Sequence, residues 1–386
     1  MFRKNIPVAK PNITFSSVAK LMRAILKKEV SGYSKQYLPQ FEAQIAKYVG
    51  TKNAVLVNSG TSAIHLALIG IGIKAGDKVA VSSYTNMATF FPILQLGAIP
   101  IPVDIESRTW NMDPSDLEKV ISQGLKAIVV VHIFGHPANM IEIMQLAERY
   151  GVPVVEDCAE ALGATHYSQK VGGIGIVGCH SFYANKMITT GEGGALTTNN
   201  DDIARRAQDF RSLSFGIERK FIHSADGYNF RMTNLQAAVG VGQLQNINRT
   251  IRHKRYIAKF YTSLLRTDDR IQLPVELDNN FSVFWMYHIR LKNFNYMKRD
   301  QVIKDMAEAG IEVREGFASY TLQEKVLKLW GQDNVRSTPL AELISEECLY
   351  LPSGPKISKT KMRYVVKSLQ NSLNRIAENE KELGIE

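Results

Sequence analysis

Lys186 stands five residues after Ser181 in the stretch SFYANKMITTGEGGALTTNN (181–200), ahead of the glycine cluster GEGG at 191–194. A deprotonated lysine amine can attack a carbonyl carbon, and glycines let a backbone close around a ligand. Most lysines are solvated and do nothing specific, so the chemistry depends on what accompanies this one. Asp157 ends the apolar run VPVVED, where a strand would leave a sheet, and Glu160 follows three residues later. NSGTSAIHLAL (58–68) offers Gly60 for close backbone approach and Thr61 and Ser62 at a helix start. The free N–H groups of such a helix start attract phosphate. Asn229 and Arg231 lie in DGYNFRMTNLQAAVG (226–240), just before another helix start.

Each feature has an ordinary alternative. Ser59 or Thr61 serves as a plain N-cap, Asp157 caps a following helix, and Thr233 or Asn234 caps the helix after Arg231. GEGG is not a Walker loop, because no GK[ST] follows it. Their order is more telling: a phosphate cradle, an acid at a strand end, then serine and lysine. Pyridoxal 5′-phosphate needs donors for its phosphate, a carboxylate to keep its pyridine nitrogen protonated, and an amine for a Schiff base.

The elements that must carry these residues alternate. AVLVNS, KVAVSSY, IPIPVDI, AIVVVHIF and VPVVEDCAE read as strands. SAIHLALIGIGI, MATFFPILQLG, DPSDLEKVIS and MIEIMQLAERYG read as the helices between them. Such alternation predicts an α/β fold with a large, mixed and mostly parallel sheet, and ligands sit at the carboxyl ends of its strands. From Thr233 the pattern predicts one long helix, kinked near its glycines, that leads out of a large domain of residues 1–245. A smaller C-terminal α+β domain follows over 246–386. It contains the strand-like FSVFWMYHIRL, with Trp285 and Tyr287 as strand core, and a terminal amphipathic helix.

The four motifs together, with YLPQFEAQIAKYVGTKNAV early and RDQVIKDMAEAGIEVR late, resemble the DegT/DnrJ/EryC1/StrS sugar aminotransferases. The resemblance covers nearly the whole chain. It implies the fold-type I, aspartate aminotransferase-like architecture and pyridoxal 5′-phosphate as cofactor. Lys186 would carry the Schiff base and shuttle the substrate proton, and Asp157 would pair with the pyridine nitrogen. Glu160 would lie by the cofactor's phenolic oxygen, where many relatives have glutamine. Gly60, Thr61 and Ser181 would bind the phosphate, and Asn229 would reach it from the neighbouring subunit of a homodimer. Arg231 and Arg314 would meet the substrate. A lysine at position 186, rather than the histidine of sugar dehydratases, implies transamination. SFYANKMITTGEGG, FRMTNLQAA and FWMY are most similar to the subgroup that aminates C4 of GDP-4-keto-6-deoxymannose for surface polysaccharide, taking the amino group from glutamate.

Two positions depart from the family pattern. Asn86 occupies the place of the aromatic that covers the pyridine ring, with Tyr84 as a candidate substitute. Arg314 is followed by EGFASY instead of proline and histidine, in a segment expected to face the nucleotide sugar. A C3 or C4 aminotransferase acting on a dTDP- or UDP-keto sugar is therefore an alternative, as are a pyridoxal-binding regulator without turnover and a sugar dehydratase.

Composition narrows the other classes. The 386-residue chain carries a formal charge of +10 and 45% hydrophobic residues. That charge suits a diphosphate substrate among other anions. The densest basic run, RTIRHKRYIAK (249–259), reads as a wet helix face without nucleic-acid motifs. No apolar stretch is long enough to cross a bilayer, and the N-terminus has no signal-peptide core. Three cysteines without motif spacing fit reduced thiols in the cytoplasm. His132 and His136 are separated by Gly135, so no metal site is expected, and Cys158 reads as a small buried side chain rather than a nucleophile.

Overall fold

The structure is a computed structural model that describes residues 5–215, 219, 221–223, 225–331 and 335–382. Seven strands form the large sheet: β1 (Asn53–Val57), β2 (Lys78–Ser82), β3 (Ile99–Val103), β4 (Leu125–Val131), β5 (Val154–Asp157), β8 (Val177–Ser181) and β9 (Gly194–Thr198). Their order is β1-β9-β8-β5-β4-β2-β3. The five strands from β8 to β3 run parallel. β9 alone runs against its neighbours, pairing antiparallel with both β1 and β8. Helices cover both faces, which is why strands such as Ala127–Val131 are buried without interruption.

Helix Gly60–Gly70 is apolar nearly all round because the sheet covers one side and helix Asp201–Arg211 another. All its residues from Ser62 to Gly70 are buried, as such a composition requires.

The single long helix expected from Thr233 is instead two. Helix Asn234–Leu244 opens on a Thr233/Gln236 capping box, and helix Ile247–Leu265 follows after a break at Gln245 and Asn246. The glycines do not kink the chain. They admit close neighbours: a Cβ on Gly240 would meet the Phe41 ring at 2.3 Å, and one on Gly242 would meet the Ser17 backbone at 2.4 Å. Helix Phe15–Leu26 packs closely there.

A small three-stranded sheet joins β6 (Thr165–His166), β7 (Gln169–Lys170) and β11 (Asn280–Phe281). The C-terminal sheet has the order β10-β12-β14-β13, with β10 (Ile271–Gln272), β12 (Tyr287–Leu291), β13 (Arg314–Glu315) and β14 (Cys348–Leu351). Of the strand-like run 281–291, only the second half is part of this ladder. Helices Ile247–Leu265, Tyr296–Glu308 and Lys359–Glu382 pack with it around a shared core. Ile6 is part of that core too: it bridges to Ile311, so the N-terminal segment crosses to the C-terminal unit.

Candidate active site

The carboxyl ends of the parallel strands set the site. β5 ends at Asp157 and β8 ends at Ser181, while the connection from β8 to β9 carries Lys186. Helix Gly60–Gly70 starts at the same edge. A cavity of about 370 Å³ is lined by Gly60, Thr61, Asn86, Asp157, Glu160, Ser181 and Lys186. Arg314, Phe317 and Tyr350 of the C-terminal unit close its far side.

Lys186 is largely shielded, its side chain 13% exposed, with Nζ 3.6 Å from Glu160 Oε1. The same nitrogen lies 3.9 Å from the centre of the Trp285 ring, a cation–π distance. Trp285 is therefore a wall of the site, not strand core as expected, and its indole N–H donates to the Asn185 carbonyl at 2.9 Å. Tyr287 does fill the core, with its hydroxyl on Thr262.

Glu160 takes the Phe134 N–H on Oε2 at 2.7 Å. Burial pushes its carboxyl up to about 7, against the pull of the Lys186 charge and the Phe134 bond; the nearby Asp157 adds to the rise. Phe134 holds φ +51, a left-handed backbone that is strained for a side chain of this size. Its N–H meets Glu160 while its carbonyl accepts the Trp285 N–H at 2.9 Å. One strained residue thus orients both neighbours of the Lys186 amine.

Asp157 is buried at the cavity floor. Its Oδ2 accepts the Thr89 hydroxyl at 2.9 Å and its Oδ1 the Ala159 N–H at 3.0 Å. The Thr85 hydroxyl sits 3.1 Å from that of Thr89. Burial raises the Asp157 pKa; those two bonds and Lys186 counter only part of it. A cationic nitrogen seated against Asp157 would supply the missing counter-charge.

At the other end, Ser59 caps helix Gly60–Gly70 by accepting the Ser62 N–H at 3.1 Å. Among the described residues the N–H groups of Gly60 and Thr61 have no partner. A Cβ on Gly60 would stand 2.9 Å from the Ser181 Cβ, so only glycine lets the helix start press on β8. Helix start and Ser181 thus share one edge of the cavity, where the free N–H groups and the hydroxyl would suit an anion. The buried Asn185 Oδ1 also lacks a partner among the described residues. A phosphate cradle, an amine and a buried acid in one cavity fit pyridoxal phosphate.

Several expectations fall elsewhere. Tyr84 does not cover the cavity: it is fully buried, and its hydroxyl accepts the Phe317 N–H at 3.2 Å. Asn86 lines the mouth, exposed, with its side-chain carbonyl on the Ala88 N–H. Asn229 and Arg231 do not line this chain's cavity. Asn229 pairs with Ser212 in an isolated bridge, and the Arg231 guanidinium lies 4.9 Å from the Tyr33 ring centre. Thr89, Tyr183, Trp285, Phe317 and Tyr350 are among the lining residues to which the motifs assigned no role. No local signal marked Thr89, because Thr85 and Thr89 stand in the bend and turn ahead of helix Phe91–Gln95.

Beneath the floor, His132, Glu156 and Cys158 cluster closely enough to suggest a metal. They are already committed. His132 Nδ1 accepts the Ala138 N–H at 3.0 Å, so Nε2 carries the proton and donates to Glu156 at 3.0 Å. Glu156 also accepts the N–H groups of Gly172, Ile174 and Gly175. Burial pushes the Cys158 thiol well up, as befits a buried thiol rather than a nucleophile.

The DegT/DnrJ/EryC1/StrS aminotransferase family profile matches residues 16–370. The chain belongs to this family. It is similar to the GDP-perosamine synthase of Caulobacter vibrioides, 36% identical over 339 residues that span 88% of this chain and 90% of that one. The GDP-perosamine synthase of Escherichia coli O157:H7 is 34% identical over 366 residues, 95% of this chain and 98% of the relative. Among solved structures, the aminotransferase from Psychrobacter cryohalolentis superposes with a TM-score of 0.88 at 27% identity, covering 95% of this chain and 99% of that one. The architecture is accordingly fold-type I. The family member is a sugar aminotransferase, and its cofactor is pyridoxal phosphate.

Glu160 gives this aminotransferase a specific pH response. Lys186, Asp157 and Tyr350 are the titratable groups that bear on it. As pH rises through about 7, Glu160 ionises 3.6 Å from Lys186 Nζ and becomes able to accept a proton. The donor half-reaction should therefore speed up through that pH. Glu160→Gln keeps the Phe134 hydrogen bond and removes the titration. Stopped-flow rates of the variant should lose the inflection near 7.

Proposed function

We propose that this enzyme transfers an amino group from glutamate to C4 of a GDP-linked 4-keto-6-deoxy sugar, for a surface polysaccharide such as O-antigen. The observation that carries amino transfer is the Lys186 amine, seated between a titratable carboxyl and an aromatic face in the same cavity as the buried acid Asp157. Support for the sugar comes from three relatives named GDP-perosamine synthase, 32% to 36% identical.

Bound pyridoxal phosphate supplies an aldehyde that accepts amino groups and a ring that delocalises the electron pair left at a deprotonated substrate carbon. The protein does the rest. Lys186 Nζ takes the proton from the substrate carbon and returns it. Glu160 holds that amine within reach and exchanges its proton. Asp157 keeps a positive charge at the cavity floor. The helix start at Gly60 and Thr61, with Ser181, holds the phosphate, and Asn229 of a second copy completes that grip in a homodimer. Arg314 meets the substrate diphosphate. Its guanidinium is aimed by Glu312, whose Oε1 accepts from Nε at 3.0 Å and Nη2 at 2.7 Å. Arg231, held against Tyr33, serves the substrate from the neighbouring copy. The large unit ends near residue 245, where the helix breaks. No helix among the described residues is long and apolar enough to cross a membrane, in keeping with a cytoplasmic enzyme.

Incubation with glutamate and GDP-, dTDP- or UDP-linked keto sugars, read by mass change, tests the reading. GDP-4-keto-6-deoxymannose should gain the amine fastest. Conversion of only a dTDP or UDP sugar would reassign the substrate, and loss of a C3 hydroxyl without amine gain would reassign the reaction.

A further inference from the structure

Lys254 lies on helix Ile247–Leu265, outside the cavity and 4% exposed. Its Nζ donates to the Trp285 carbonyl at 2.7 Å and to the Ser353 carbonyl at 2.8 Å. No carboxylate among the described residues pairs with it, although burying an ammonium in this way is costly. Burial pulls its pKa down to about 7. The two carbonyls face each other for a reason of register. β12 and β14 pair Tyr287 with Leu351, so Trp285 and Ser353 stand opposite one another just past the end of the ladder. There the strands no longer satisfy their own carbonyls, and one ammonium closes both.

Only one of these residues reaches the cavity. Trp285 is fixed at further points: its backbone N–H on the Phe134 carbonyl, its indole N–H on the Asn185 carbonyl, and its ring stacked on Phe134 at 6.3 Å. The indole thus holds the main chain next to Lys186, and the ring face holds the Lys186 amine. Any shift of Trp285 moves both ends of that lysine.

We propose that Lys254 is a positioning residue for Lys186, acting through Trp285. The buried ammonium sets how far the indole enters the cavity, and the indole face with Glu160 forms the seat where the Lys186 amine rests while it is free. At this point Trp285 joins the end of the β12–β14 ladder to the cavity. A displacement near 1 Å at a reacting group can lower a rate about 100-fold, so the clamp bears on catalysis and not on packing alone.

The inference rests on Lys186 being the reactive amine, so the main readout is independent of turnover. In cofactor-free full-length protein, trace acetylation followed by peptide mass spectrometry reports the reactivity of Lys186 as a function of pH. Lys254→Met keeps the side-chain length and removes the donors. It should change the Lys186 labelling rate at least threefold. In the loaded enzyme it should lower kcat for the glutamate half-reaction about 10- to 100-fold, with KM for glutamate little changed. Trp285→Phe, which loses the indole N–H, should shift labelling in the same sense. The double variant should match the stronger single one rather than multiply the two effects. Lys254→Arg should restore part of the loss. A Lys254→Met protein with a lower melting temperature but parental Lys186 labelling and kcat would overturn the proposal, as would multiplicative effects in the double variant. If Lys254→Met does not fold, Trp285→Phe decides alone: unchanged Lys186 labelling refutes it. If the labelling shifts while no keto sugar is ever aminated, the clamp stands and the assigned reaction falls.

Discussion

Replacing Lys186 by alanine should lower transamination by about 10⁴-fold, the upper end of what a positioned acid–base group contributes. No other residue in the cavity can replace it. Glu160, Asp157 and Tyr350 are the remaining buried ionisable groups within the cavity, and none is a nucleophilic nitrogen. Lys186→Arg should be as inactive, because a guanidinium stays protonated and cannot take a proton from carbon. Stability should hardly move. The amine makes one long contact with Glu160 and one with a ring face, so the unfolding free energy from urea titration should shift by no more than about 1 kcal/mol. Activity and stability thus separate cleanly. In the parent enzyme, borohydride reduction and peptide mapping should place the reduced cofactor on residue 186. A tag on another lysine would overturn the assignment.

Glu156→Ala should have the opposite signature, a loss of stability before any loss of chemistry. The carboxylate is fully buried and accepts from His132 Nε2 and from the N–H groups of Gly172, Ile174 and Gly175, at 2.7 to 3.0 Å. Alanine would leave those donors buried without an acceptor, and breaking such a cluster costs about 3–5 kcal/mol. Urea unfolding measures it directly. The same group predicts a pH response. Burial alone would raise the Glu156 pKa, but His132 and the N–H groups of Gly172 and Gly175 outweigh it and hold the folded value below the ordinary one. A carboxyl with a depressed folded pKa stabilises the fold fully above its unfolded pKa of about 4.3. That contribution disappears as pH falls through the folded value. Below about pH 4.3 the parent should therefore lose stability more steeply than Glu156→Gln. Equal slopes would show that the carboxylate is not ionised in the fold.

Much of this was legible along the chain. Unbroken apolar runs marked the parallel strands, and the order of Gly60, Asp157, Ser181 and Lys186 marked their shared edge, because each lies at or just beyond a strand's carboxyl end. Local pattern failed where distance in sequence is large. Trp285 meets Asn185 across 100 residues, and Thr89 meets Asp157 across 68, so nothing near either residue signals the contact. Trp285 read as strand core because its neighbours are apolar. The break at Gln245 and Asn246 was hidden since both residues are acceptable within a helix, whereas the glycines that suggested a kink serve close packing instead. Neither β8 nor β9 was among the strands read from the sequence, because VGCHS and GALTT are short and hold few apolar residues.

The reversal of β9 has a consequence for how this protein tolerates change in length. Where neighbouring strands are parallel, the connection must cross the sheet, and residues added to it can bulge outward without moving either strand. Lys186 sits on a return between two adjacent antiparallel strands, Ser181 facing Gly194 at its base. Tyr183 bridges to Gly191 within it, and the Phe182 and Thr190 main chains are bonded at 2.9 Å. An inserted residue there has nowhere to go except toward Asp157 or away from it. Insertions before β4 or β5, at the amino ends of the strands, can be absorbed, whereas a single one between Ser181 and Lys186 would carry the amine out of reach.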